Sequence, residues 1–110
     1  MLLAYNTNGL ANHDLLDAIA LLADIGYEGI SITLDHGALN PYDERLDAQL
    51  AQVAAALAKH KLRCVIETGA RFLLDPRQKH EPTLVTADLA GRARRVPMSL
   101  TSAPVWSRSR

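Results

Sequence analysis

Sulfur and aromatic rings are scarce in this sequence: 110 residues hold one cysteine, Cys64, and 5% Phe, Trp and Tyr together. A single cysteine excludes an internal disulfide, so an apolar core has to hold the fold. No apolar run approaches the length that spans a bilayer. The opening MLLAYNTNGL also lacks the charged start and long apolar run of a secretory signal. The chain is therefore expected in a soluble, reducing compartment, with the cytoplasm as the default. Net charge is absent too, because twelve basic and twelve acidic residues cancel; neither nucleic acid nor membrane is favoured by the total. The stretch NTNGLANHD after the first apolar segment lacks GxGxxG spacing, which disfavours a dinucleotide-binding loop. Acids are missing beyond Asp88, while Arg92, Arg94, Arg95, Arg108 and Arg110 follow it.

What is present is 48% hydrophobic content, enough for one domain with a core. MLLAY, followed by the turn-prone Asn6, Thr7, Asn8 and Gly9, reads as a buried strand. Asn12 is placed to cap a helix in which Leu15, Ile19, Leu22 and Ile25 recur at helical spacing until Gly26 ends it. From Gly29 the period changes to two, with Ile30, Ile32 and Leu34 on one face and Ser31 and Thr33 on the other. Asn40 and Pro41 are read as opening a second helix with Leu46, Leu50, Val53 and Leu57 as its apolar stripe. Leu62 to Glu67 is a third strand, and a further helix is expected to start at Asp88.

The fold class is therefore α/β, with the order β-α-β-α-β and about thirty residues per βα unit, as at the start of a (β/α)8 barrel. A doubly wound open sheet fits the same order. The segments LAYNTNGL, ADIGYEGISITLD and above all VIETGARFLLDPRQKHEPTL resemble the N-terminal part of sugar phosphate isomerases/epimerases, the xylose-isomerase-like TIM barrels. The resemblance covers about residues 2 to 95. It implies divalent-metal-dependent aldose-ketose isomerisation or epimerisation, by proton abstraction next to a carbonyl, on a sugar or sugar phosphate.

Barrel sites lie at the C-terminal ends of the strands. Tyr5 and Asn6 leave the first strand, Asp35 and His36 the second, Glu67 and Arg71 the third. Glu67 is the candidate catalytic carboxylate, since a charge ending a buried strand loses hydration and calls for a partner or ligand. An ion pair with Arg71 is its structural alternative. Asn6 is a candidate for a sugar hydroxyl, although the residues after it equally form a turn. His36 is a candidate for substrate and a weak one for metal; before Gly37 it also fits a plain turn. Arg71, Lys79 and His80 are candidates to bring positive charge toward a phosphorylated or carboxylated ligand from the long segment FLLDPRQKHEPTLVTAD.

A complete barrel takes roughly 250 residues. The resemblance places the family's metal ligands and most of its acid/base carboxylates on later strands, so this chain is expected to be a fragment, inactive alone and binding no metal itself. Residues 1–95 are read as a partial barrel. Pro97 is expected to break the third helix, and residues 96–110, rich in Ser, Pro and Arg, are read as a disordered basic tail, a frameshift or a gene remnant. The alternative class is a small non-enzymatic binding module, self-associating through open strand edges. Nucleic acid is disfavoured, because the arginines lack interleaved aromatics.

Overall fold

The computed structural model describes residues 1–69 and 72–101. Its centre is a parallel three-stranded sheet in sequential order, β1 (Ala4–Asn6), β2 (Gly29–Thr33) and β3 (Arg63–Glu67). Helix α1 (Leu15–Ile25) connects β1 to β2, and α2 (Leu46–His60) connects β2 to β3. Helix α3 (Leu89–Thr101) follows a long irregular segment after β3. This is the α/β class and the β-α-β-α-β order that periodicity indicates.

Both crossover helices cover one face of the sheet. Ile19 and Leu22 of α1, Val53 and Leu57 of α2, and Ile30, Ile32 and Cys64 of the strands form one buried cluster. Strand side chains alternate between faces, so the residues between these point the other way. The register places Asn6 beside Ser31 and Val65, and Thr33 beside Glu67. Among the described residues no helix packs on that second face, and Val65 is 52% exposed. Period two in GISIT thus separates a greasy, helix-covered face from a small, polar one.

Several sequence expectations need correction. MLLAY is not a buried strand: only Ala4–Asn6 pair, and Leu2 and Leu3 are exposed. The strand lies at a sheet edge and has a neighbour on one side alone. The cap of α1 is Asp14, whose carboxylate accepts from Leu16 N at 3.1 Å, rather than Asn12. Ile25, expected in the apolar stripe, is 62% exposed at the last turn of α1. Gly26 closes this helix at φ 109°, a left-handed conformation that suits glycine.

Helix α2 begins at Leu46, five residues after Pro41. The intervening turn is organised by Asp43, which accepts from Arg45 N at 2.9 Å and from Gln49 Nε2 at 3.3 Å. The hydrogen bonds and charge of Arg45 hold the Asp43 carboxyl below the usual carboxylate range. Helix α3 does not stop at Pro97 but runs to Thr101. Proline removes one N–H from the ladder, so the carbonyl four residues earlier loses that donor without the helix having to end. The expected disordered tail therefore cannot begin at residue 96, and its remaining part, residues 102–110, lies outside the described residues.

Candidate functional site

The polar face of the sheet gathers four side chains where the strands end. Asn6 closes β1, Ser31 and Thr33 lie on β2, and Glu67 closes β3. Parallel pairing sets them side by side, because all three strands terminate at the same edge. Asn6 Nδ2 donates to Glu67 Oε2 at 2.6 Å and approaches Ser31 Oγ at 3.2 Å. Thr33 Oγ1 lies 2.9 Å from Glu67 Oε2 and 3.3 Å from Asn6 Oδ1. A hydroxyl has one hydrogen, and the shorter, charge-assisted contact to the carboxylate takes it.

The backbone fixes these groups. Asn8 N donates to Asn6 Oδ1 at 2.7 Å, which closes the tight turn after β1 and sets the amide with its nitrogen toward Glu67. Thr7, buried in that turn, accepts from Thr33 N at 3.1 Å. Leu34 N donates to Glu67 O at 3.2 Å, extending the β2–β3 ladder past the carboxylate. The turn-forming and site-forming roles weighed for Asn6 therefore coexist in one side chain: Oδ1 makes the turn and Nδ2 reaches the carboxylate.

Glu67 is exposed, and both groups that hydrogen-bond to it among the described residues are uncharged and meet Oε2. Oε1 lies beside Gly69, where a Cβ would sit 3.6 Å from it, in ordinary contact.

The other expected residues are more scattered. Tyr5 turns to the opposite face, where its ring meets Tyr27 edge-on at 5.5 Å. His36 is exposed and lines a separate cleft of about 150 Å³ with Asp14, Asn40 and Gln49. Its backbone N donates to Asp35 Oδ1 at 2.7 Å, and its Nδ1 lies 3.5 Å from Asn40 Nδ2. His80 comes nearer to Glu67, with Nδ1 3.0 Å from Gly69 O. Lys79 fastens the same loop through its carbonyl, which accepts from Phe72 N at 2.8 Å, and its side chain is in solvent. Arg71 lies outside the described residues.

Ser31 and Thr33 were legible only as a polar face; parallel register is what adds them to the site. A second cleft of about 110 Å³ adjoins the cluster, walled in part by Thr7, His13, Thr33 and Asp35. Among the described residues, no three His, Cys, Asp or Glu side chains converge as a metal-ligand set. Compared with family models, curated proteins and solved structures, the chain matches none.

Proposed function

We propose that the three strands correspond to the first three of a (β/α)8 barrel of the sugar isomerase/epimerase kind, and that Glu67 faces a sugar or sugar phosphate. The observation that carries this reading is the cluster of Asn6, Ser31, Thr33 and Glu67 at the C-terminal strand edge, on the face away from the helices. In a barrel that face is the interior and that edge the active-site mouth. Sequential parallel order and two helices on one face support the same architecture. The resemblance of VIETGARFLLDPRQKHEPTL to that family supports the chemistry.

In this reading Glu67 Oε1 takes the proton from the carbon next to the substrate carbonyl and returns it to the former carbonyl carbon. The hydroxyl proton of the first carbon passes to the former carbonyl oxygen, which interchanges aldose and ketose. Asn6 and Thr33 hold the carboxylate through Oε2, and Ser31 offers a hydroxyl to the sugar. A divalent metal belongs to the resembled family, where it would polarise the carbonyl. The described residues do not fit a site for it: Glu67 stands among amide and hydroxyl groups, with no second carboxylate or imidazole hydrogen-bonded to it. The chain alone is expected not to turn over.

Titrating the isotope-labelled chain with a pentose phosphate tests the reading. Amide resonances of Ser31, Thr33 and Gly69 are expected to move together, with no isomerisation when Mg²⁺ or Mn²⁺ is added. Shifts confined to other surfaces would overturn it.

The uncovered sheet favours a second reading, a binding or interaction module. Among the described residues, edge strands β1 and β3 each have one partner strand, and Leu2, Leu3 and Val65 are exposed beside them. Unpaired edges with exposed apolar residues promote association, here with another copy of the chain.

A further inference from the structure

The orientation of the ligand can be argued from the cleft beside the cluster, and the argument rests on the reading of Glu67 given above. The cleft, of about 110 Å³, opens between the turn after β1, the start of α1 and the loop after β2. It shares Thr33 with the strand-end site: Thr33 walls the cleft, and its hydroxyl bonds Glu67. Thr7, also in the wall, is the acceptor for Thr33 N. A molecule in this cleft therefore ends within one side chain of Glu67.

The lining is mixed. Asp35, His13 and Thr7 supply polar groups, and Leu10 and Ala18 supply apolar surface. Asp35 is held in place where its Oδ1 accepts from His36 N. Hydroxyls that meet the carboxylate and imidazole, with C–H groups against the methyls, suit a short polyol chain. The cleft has room for a short chain of a few carbons. A phosphate dianion would meet the Asp35 carboxylate as a like charge. Among the described residues the cleft lining includes His13 but no lysine or arginine; an ammonium lies past β3, at Lys79, next to His80, whose ring reaches Gly69 O.

We propose that the cleft takes the uncharged, hydroxyl-bearing end of the ligand, so that any phosphate points toward the loop after β3. The polarity of binding is then set by Asp35 on one side and by Lys79 and His80 on the other.

The test uses the full labelled chain, a neutral pentitol and the corresponding pentitol monophosphate. Both are expected to move the amides of Thr7, Asn8 and Gly37 together with those of Ser31 and Gly69, and the monophosphate alone to move those of Lys79 and His80 strongly. Asp35→Ala is expected to weaken the pentitol about tenfold. Ala18→Leu, which fills the floor, removes the Thr7 and Gly37 shifts; Asp35→Asn, which keeps the shape, is the check should that filling disturb the core. Shifts at Ser31 and Gly69 without any at Thr7 or Gly37 would overturn the cleft proposal and leave the reading of Glu67 standing. Shifts at Thr7 and Gly37 that survive Glu67→Gln, with none at Ser31 or Gly69, would support the cleft and overturn that reading. An absence of shifts throughout would overturn both.

Discussion

Cys64 and Glu67 sit three residues apart on β3 and meet opposite surroundings, because the pleat sends one toward the helices and the other to the open face. Burial pushes the Cys64 thiol up to about 12. The unfolded thiol ionises near ~8.5, so between these values the folded chain keeps a proton that the unfolded chain releases. Stability from this residue is complete below the unfolded value and is lost as pH rises toward the folded one. Unfolding free energy is expected to fall by about 1 kcal/mol between pH 8.5 and 9.5 relative to Cys64→Ala, measured by urea denaturation of both. Parallel slopes in the two proteins would contradict the burial argument. Labelling of the native thiol at pH 8 is likewise expected to be about a hundredfold slower than in denaturant.

Single residues were legible where chemistry and position coincided. Glu67 and Asn6 stand out in the sequence as polar groups ending apolar segments, and the structure joins them at 2.6 Å. Ser31 and Thr33 could be assigned to a face but not to a partner, since partners depend on inter-strand register. His36 also stands at a strand end, a candidate for substrate and a weak one for metal, before Gly37 where a plain turn fits as well. The loop containing Leu39, at φ 52°, and the Asp35–Ala38 bridge instead place it in a separate cleft. Nothing in local sequence spacing encodes that displacement.

Among the elements, helix existence was easier to read than helix ends. Leu46, Leu50, Val53 and Leu57 give α2 its inward stripe, and the last three are buried. Its start was misplaced because Asn40 and Pro41 carry the usual start signal. Asp43 forms the lead-in turn farther along, through side-chain bonds to Arg45 and Gln49. Pro97 misled in the same way at α3, where the helical backbone continues to Thr101.

The end of α2 offers a direct test of cap energetics. Lys61 closes it in the left-handed conformation at φ 55°, with its N–H donating to Ala58 O at 3.2 Å. A side chain there costs about 1–2 kcal/mol, partly offset by the greater unfolded-state freedom of glycine. Lys61→Gly is therefore expected to stabilise the chain by about 0.5–1 kcal/mol, raising the melting temperature by a few degrees. Lys59 and His60 remain to complement the helix dipole. A lower melting temperature would mean that the lysine makes a compensating interaction.

At the scale of the whole molecule, among the described residues, the sheet is covered on one face and bare on the other, with an unpaired edge on each side. The α/β class and parallel order were legible because helical and strand periods alternate along the chain. Closure into a barrel was not, since the same three-strand order begins open sheets as well. The bare face and edges are expected to drive self-association at micromolar concentrations, seen by sedimentation velocity. Val65→Lys places a charge on an exposed position of edge strand β3 and is expected to shift the distribution toward monomer. A single monomeric species for the unsubstituted chain across that range would contradict the interaction reading.

The central claim is that the Glu67 carboxylate serves a ligand and not the fold. Replacing it by glutamine retains an oxygen for Asn6 and Thr33 and removes the charge and the proton-accepting oxygen. The measurement is the affinity for a pentose phosphate, by amide-shift titration, alongside the melting temperature, for the unsubstituted chain and Glu67→Gln. A loss of about tenfold in affinity with a melting temperature unchanged within about two degrees is expected, because an exposed carboxylate with uncharged partners contributes little to folding. A melting temperature lowered by several degrees, with no difference in ligand binding, would show that Glu67 braces the strand ends, and would contradict the claim.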